Sequence, residues 1–228
     1  MAVIIGNTRD LSNDPNIREP WPDFFVDWNK PRDPKLLEEL ETILNEAEDE
    51  RPLQKFYTEH PYLLAIAFRP HHCWLFPLPR LGGGQHIPDF LYCDLNSLGY
   101  HWILIELESP RMEATNKDES VSRGTHHAVE QILDYRRWLT ENALVEQKTY
   151  PSLTDKCDGY VVIGRREGRT ELEQKRLADY KQQRIEIASY DRLLHEAKDH
   201  LLHIIHNWEK GAKLAEQVQV TKEGEESK

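Results

Sequence analysis

The sequence has only three cysteines, Cys73, Cys93 and Cys157, and no CxxC pair. An odd number of widely spaced cysteines supports neither a disulfide framework nor a four-thiolate zinc site. The sequence also lacks an apolar run long enough to span a bilayer, and its first residues lack the basic start and apolar segment of a secretory signal. We therefore expect a cytoplasmic protein with reduced thiols and no membrane partner.

Positive charge is also scarce in this sequence. The 228 residues include 29 Lys and Arg against 40 Asp and Glu, so the formal net charge is -11. That balance argues against nonspecific coating of nucleic acid, which needs positive charge along the binding surface. It is compatible with an enzyme that acts on nucleic acid, because such an enzyme can gather acids at a metal site and keep basic residues on a separate rim.

The length and the 39% hydrophobic residues suffice for one domain with extensions. Residues 1–33, rich in Pro, Asn and Asp, also contain four aromatic residues, which predicts an irregular arm that packs onto another part of the protein or reaches a neighbouring subunit. Those residues are Trp21, Phe24, Phe25 and Trp28. Residues 34–218 form the predicted domain, and residues 219–228 form a predicted disordered acidic tail.

Within the domain, two predicted helices precede three strand-like runs, HCWLFPL, IPDFLYCDL and YHWILIELES. The runs predict an antiparallel meander, since short turns separate them. The glycines of the turn LGGGQH lack the Lys-Ser/Thr of a phosphate-binding loop and predict a hairpin turn or a close approach of DNA. A helix, a strand, a helix, a strand and a long closing helix follow. This order predicts an α/β (α+β) domain, a mixed sheet flanked by helices.

Two acidic residues end the apolar run WILIELESP. Glu106 and Glu108 are two apart in a predicted strand, so their side chains project to one face, and Asp89 on the neighbouring predicted strand can join them. Three carboxylates at close range without a basic partner would each resist ionising. A divalent cation resolves that conflict, and oxygen ligands at this density suit Mg²⁺ or Mn²⁺. The alternative is that the strand ends here and the two acidic side chains are exposed to solvent.

The order of these motifs resembles that of the PD-(D/E)XK nuclease superfamily: Pro88-Asp89-Phe90, then Glu106-Leu107-Glu108, then a helix with Gln131 and Tyr135 in a QxxxY pattern. More narrowly, ERPLQKFYTEHPYLL, IELESP, HHAVEQILDYRRWL, DGYVVIGRR and IEIASYDRLL look like the C-terminal nuclease domain of Shedu antiphage defence proteins. The resemblance implies a restriction-endonuclease-like fold and a Mg²⁺- or Mn²⁺-dependent deoxyribonuclease of antiphage defence. It also implies a preference for DNA ends or nicked duplex, and a homo-oligomer such as a dimer or tetramer.

The resemblance also assigns roles to single residues. Asp89 and Glu106 correspond to metal ligands, and the carbonyl of Leu107 is a further candidate ligand. Glu108 stands where the family usually has Lys, and a carboxylate at this position can deprotonate the attacking water or bind a second cation. The helix residues Gln131 and Tyr135 correspond to the edge of the catalytic site, although Tyr135 also fits a core position.

Further acids and basic residues are candidates for the same region. Glu50 resembles an acid that many family members contribute from their first helix, with Glu59 as the competing position. From helical periodicity alone, His127 shares the face of the QxxxY residues. Predicted contacts to the DNA backbone come from four residues, with Arg136 or Arg137 as additional candidates. The four are Arg123, His127, Arg165 and Arg166.

Two other functions fit the same residues. The change from Lys to Glu at Glu108 is compatible with a noncatalytic DNA-binding or oligomerisation module that keeps a degenerate nuclease fold. Paired carboxylates also occur in acid/base hydrolases that act on glycans.

Overall fold

The computed structural model describes residues 20–28, 33–68, 72–166 and 170–201. Most of the predicted arm, the acidic tail at residues 219–228 and the end of the closing helix lie outside these ranges. Within them, no helix combines the length and the apolar character needed to cross a membrane. All three cysteines are buried and unpaired.

A five-stranded mixed sheet forms the centre of the fold. Its strands are β1 (Cys73–Pro77), β2 (Phe90–Asn96), β3 (Gly99–Leu107), β4 (Asp158–Val162) and β5 (Ile185–Ala188), and their order in the sheet is their order in the chain. The first three strands form the predicted antiparallel meander, while β4 and β5 pair in parallel. The prediction of an α/β domain with a mixed sheet flanked by helices is confirmed.

Helices cover both faces of this sheet. They are α1 (Lys35–Glu46), α2 (Arg51–Glu59), α3 (Tyr62–Ala65), α4 (Arg123–Glu146), α5 (Glu171–Ala178) and α6 (190–201). One hydrophobic core lies between the sheet and helices α1, α2, α3 and α6, and it includes Ile103 and Ile105 of β3. The other lies under α4 and α5, and it includes Leu104. Neighbouring residues of β3 thus enter different cores because strand side chains alternate between faces.

Helix α4 crosses over the sheet between β3 and β4. Its start is fixed by Ser122, whose hydroxyl accepts the backbone N–H of Thr125 at 3.2 Å, the usual way to satisfy a free donor at a helix N-terminus. Its buried stripe includes Ala128, Ile132, Tyr135 and Leu139, as the periodicity predicted. The helix lies close to β4 at Gly159, where a Cβ would come within 2.9 Å of Ile132 Cγ2.

The described part of the amino-terminal arm packs against the sheet of its own chain. Phe25 forms an isolated antiparallel bridge with Trp74 of β1, and the backbone N–H of Val26 donates to the carbonyl of Cys73 at 3.0 Å. The Trp21 ring lies with its centroid 5.3 Å from that of Phe76. Residues 20–28 therefore cover part of the sheet at β1.

Candidate metal-binding and catalytic site

The carboxylate of Asp89 links the start of β2 to the end of β3. Asp89 directly precedes β2, and its Oδ2 accepts the backbone N–H of Leu107 at 2.8 Å. Its own carbonyl accepts the N–H of Leu78 at 2.9 Å. The last paired residues of these two strands are Phe90 and Ile105, so a side chain takes over where the backbone pairing stops. This places the carboxylate at the same edge of the sheet as the end of β3.

Glu106 is a buried carboxylate inside the sheet. Only 4% of the residue is exposed, and it is paired with Val161 of the neighbouring strand β4. Burial raises its pKa well above the ordinary value, and the nearby charges of Asp89 and Glu108 add to that increase. The nearby hydroxyl of Tyr135 partly opposes the increase in pKa, but Oε1 has no hydrogen-bond partner. A buried carboxylate in this state favours a proton or a cation beside it.

Asp89 shares this electrostatic environment. Its pKa is raised to about 6, first by burial and then by the charges of Glu50 and Glu108, while the N–H of Leu107 lowers it. The charge of Glu108 thus raises the pKa of both Asp89 and Glu106 at this edge of the sheet.

Glu108 lies one residue beyond β3, with its backbone held from both sides. Its N–H donates to the carbonyl of Val162 at 2.8 Å, and its carbonyl accepts the hydroxyl of Tyr190 at 2.7 Å. The side chain is 14% exposed, and Oε1 lies 3.4 Å from Nδ1 of His127 on α4. Burial raises the pKa of Glu108, an effect that His127 partly offsets. Glu108 thus combines a fixed backbone with a carboxylate that reaches the surface.

Glu50 and Glu59, the two candidate acids, lie at opposite ends of α2, and Glu50 is the one near this site. It precedes α2, and its charge contributes to the raised pKa values of Asp89 and Glu108. The loop after Glu108 contacts the connection between α1 and α2, because Ser109 donates to the carbonyl of Glu48 at 2.8 Å. Glu59 lies at the opposite end of α2, 3.9 Å from the ammonium of Lys55.

The expected convergence of three carboxylates on one ion is not found. Among the residues that the structure describes, no group of three or more His, Cys, Asp and Glu side chains is placed to hold a metal ion. The physical reason is that Glu108 has left the strand and turns towards His127, whereas Glu106 stays within the sheet.

A smaller donor set remains at the same position. It consists of Asp89, Glu106 and the carbonyl of Leu107, which lies on the same side of β3 as the N–H that Asp89 accepts. Two carboxylates and a carbonyl, completed by water and a phosphate oxygen, suit Mg²⁺. Glu106 Oε1 fits such a group because it is buried and unpartnered. In the described ranges, neither Lys nor Arg forms a salt bridge with Asp89, Glu106 or Glu108.

Helix α4 brings the two QxxxY residues to this donor set. Tyr135 is 6% exposed and packs in the core under α4, while its hydroxyl lies near enough to Glu106 and Gln131 for both to affect its pKa. Tyr135 is therefore both a core residue and a contact of the buried acid. His127, two turns before Tyr135 on α4, is 68% exposed and contacts Glu108.

The predicted DNA-binding arginines differ in their surroundings. Arg123, the first residue of α4, and Arg166 have exposed side chains. Arg165 is paired with Asp191, with Nε 2.6 Å from Oδ1, and Asp191 also accepts the backbone N–H of Arg166 at 2.5 Å.

The two additional arginine candidates are bound within the fold. Arg136 donates to the carbonyls of Gln183 and Arg184 at 2.7 and 3.0 Å, so it holds the segment before β5. Arg137 forms ion pairs with Asp134 and Glu130 on the exposed face of α4. Each guanidinium thus has partners within the fold, and Arg137 remains 61% exposed.

The turn LGGGQH lies closer to the site than the sequence indicated. His86, the last residue of that turn, has its ring 5.7 Å from the ring of Tyr135. Periodicity could not find this contact, because it joins a turn to a helix across the sheet. The only sequence signal was the glycine run.

Comparison with known protein families gives a match over most of this region. The family model described as Shedu protein SduA, C-terminal, matches residues 47–194. The chain belongs to this family. The Shedu match includes the whole sheet, the acids from Glu50 to Glu108 and helix α4. A search of curated proteins finds no match.

Proposed function

We propose that this Shedu-family chain is a metal-dependent DNA endonuclease of antiphage defence, which hydrolyses phosphodiester bonds. The main observation in support is the arrangement of residues at the end of β3. There, Asp89 is bonded to the backbone of Leu107 beside the buried and partly unpartnered Glu106. The motif order, which resembles the PD-(D/E)XK superfamily, supports the same function.

The cation would be Mg²⁺ or Mn²⁺, held by Asp89, Glu106 and the carbonyl of Leu107. When bound, it supplies charge stabilisation for the phosphate and lowers the pKa of a water. The hydroxyl of Tyr135 would keep one oxygen of Glu106 turned to α4, which leaves Oε1 for the ion.

Glu108 is the proposed base that takes the proton from the attacking water. Its pKa is raised by burial, which makes the carboxylate more basic than that of an ordinary glutamate. Its partial exposure gives it access to water, and His127 holds its carboxylate in position. Proton transfer by such a positioned group typically contributes about 10²–10⁴-fold to a rate.

The substrate would be duplex DNA, gripped through its phosphates. Arg123 and Arg166 are exposed and suited to backbone contacts, which carry no sequence information. The preference for ends or nicks, the dimeric or tetrameric state and the cytoplasmic location are parts of the same proposal. Cleavage rates of linear, nicked and intact circular DNA test the preference, and sedimentation tests the assembly.

Cleavage of linear DNA with Mg²⁺ or Mn²⁺ tests the proposed chemistry. We expect Glu108→Gln to lower kcat by about 10²-fold or more, because an amide cannot accept the proton. The matched control is Glu59→Gln, which removes a glutamate at the far end of α2 and should cleave like the parent. A chelator should abolish the activity of the parent and of Glu59→Gln. Full activity in chelator would contradict metal dependence and favour an acid/base hydrolase.

The second candidate is a noncatalytic DNA-binding or oligomerisation module. It is favoured by Glu108, which stands where the family usually has Lys. The described part of the chain also has no group of three side chains placed to hold a metal ion. Calorimetric titration with Mn²⁺ distinguishes the two functions when combined with the cleavage assay. Cation binding without nicking of any DNA would support the module.

A further inference from the structure

The segment between β1 and β2 forms a rigid turn next to Asp89. Leu81 and His86 exchange two backbone hydrogen bonds of 2.9 and 3.2 Å, and Leu81 is fully buried. The three residues Gly82, Gly83 and Gly84 between them have positive φ angles, which glycine adopts without strain. The turn ends three residues before the first predicted metal ligand.

Helix α4 holds this turn in place. The N–H of Gly82 donates to Oε1 of the buried Glu146 at 3.2 Å. A Cβ on Gly82 would lie 3.0 Å from the indole of Trp138, so the backbone packs directly on that ring. The turn is thus anchored at a charged group and at an aromatic surface.

The imidazole of His86 is positioned by two aromatic rings. Its centroid lies 5.7 Å from the ring of Tyr135, nearly perpendicular to it, and 5.5 Å from the ring of Trp138. Within the described residues, the ring nitrogens of the half-buried His86 have no hydrogen-bond partner in the protein. Since the hydroxyl of Tyr135 reaches Glu106, one aromatic ring separates this imidazole from the predicted metal ligands.

We propose that His86 contacts a phosphate of bound DNA next to the acidic site, by donating a ring N–H. This inference rests on the proposed function. The acids of the site repel a DNA backbone, so a donor at their border supplies attraction there. Because both neighbouring rings already fix the imidazole, the contact needs no ordering of a flexible side chain, which reduces the cost of binding.

Binding of a labelled DNA duplex, measured by fluorescence anisotropy with Ca²⁺ in place of Mg²⁺, tests this contact. His86→Phe keeps an aromatic ring between Tyr135 and Trp138 but removes both nitrogens. We expect the dissociation constant to rise about 5–10-fold, in line with one hydrogen bond to a charged group. His86→Gln keeps an N–H donor and should stay within about twofold of the parent.

His60 provides the matched control. It is also half-buried and packs on an aromatic ring, that of Phe56 at 4.8 Å, but it follows the end of α2 that is distant from Glu50. His60→Phe should therefore bind DNA like the parent. Thermal unfolding of all three variants shows whether each remains folded at the assay temperature.

Several outcomes would overturn the assignment of His86. They are parent-like binding by a folded His86→Phe, an equal loss in His86→Gln, and failure of the parent to bind DNA. The cleavage assay keeps the two proposals apart. Cleavage by the parent with unchanged affinity and KM in His86→Phe would refute this contact alone. DNA binding that depends on His86 without cleavage would refute the nuclease alone.

Discussion

Asp89 has a pKa of about 6 in the folded protein, against an ordinary value of 3.8. A carboxyl group with a higher pKa in the folded state binds more protons there than in the unfolded chain, so the free energy of unfolding falls as the pH rises through that interval. Each unit of difference between the folded and the unfolded pKa corresponds to about 1.4 kcal/mol. Ionised Asp89 therefore destabilises the cation-free protein by up to about 3 kcal/mol above pH 6.

We expect Asp89→Asn to remove this loss of stability, because an amide oxygen can still accept the N–H of Leu107 but carries no charge. Urea unfolding in chelator between pH 4 and 7 measures the difference, which should grow towards pH 6 and then level off. Added Mg²⁺ should stabilise the parent at pH 7 and leave the variant unchanged. Parallel pH profiles, or equal stabilisation by Mg²⁺, would contradict the electrostatic account of this residue.

Among the strands, His101 of β3 connects its own strand to two neighbours. Its Nδ1 lies 2.9 Å from Asp94 of β2, and its Nε2 lies 2.7 Å from Asp158 of β4. These bonds, first that to Asp158, raise the pKa of His101 to about 9. The protonated imidazole therefore joins β2, β3 and β4 at the end of β3 opposite to Glu106.

The contribution of His101 should be present below pH 6.5 and lost as the pH rises to about 9, since a raised histidine pKa stabilises the protonated folded state. The side chain is 37% exposed, so solvent screening keeps the effect to about 1 kcal/mol or less. We expect the parent to lose more Tm than His101→Gln between pH 6.5 and 9.5. Equal losses in a scanning fluorimetry series would refute the linkage.

The glycine turn offers a comparison of two adjacent residues. Gly82 and Gly83 have similar φ angles of +61° and +68°, but a Cβ would meet Trp138 only at Gly82 and would meet nothing within 4 Å at Gly83. Gly83→Ala should cost about 1 kcal/mol for the left-handed backbone, and Gly82→Ala should cost about 1–3 kcal/mol more for overpacking. Chemical denaturation measures both, and equal costs would show that α4 does not hold the turn.

At the scale of the whole molecule, the arm and the sheet form one aromatic cluster. The Trp21 ring lies 5.3 to 5.6 Å from four rings of the sheet, whereas Phe24 contacts Phe76 and is 39% exposed. The four rings belong to Trp74, Phe76, Tyr100 and Trp102.

We expect Trp21→Ala to lower the free energy of unfolding by about 3 kcal/mol, the low end of the range for large buried aromatic residues, because Trp21 is partly buried. Phe24→Ala, the control, should cost less than half as much because that ring is partly in solvent. Equilibrium unfolding in urea measures both changes. A Trp21→Ala protein as stable as the parent would mean that the arm does not contribute to the fold.

Much of this architecture could be predicted because local patterns determine it. Apolar runs such as WILIE identify buried strands, and the buried stripe of α4 follows from its helical period. The inward position of Glu106 follows from the alternation that also buries Leu104. These features depend on residues that are close in the sequence.

The remaining details of the site depend on contacts between distant segments. The bond from Leu107 to Asp89 needs the register of β2 against β3, and the turn of Glu108 towards His127 needs the position of α4. The partners of Arg136 are carbonyls near β5, which no pattern within α4 can specify. For this reason the sequence predicts that Asp89 and Glu106 meet, but it does not predict the direction of Glu108 or the place of His86.

The strand order β1-β2-β3-β4-β5 repeats the order of synthesis. The sheet can therefore be extended by one strand at a time as the chain leaves the ribosome, without inserting a late strand between earlier ones. The hairpin with Asp89 and Glu106 is complete before α4 has been translated. We therefore expect the unfavourable removal of water from Glu106 to fall on the step at which that helix docks.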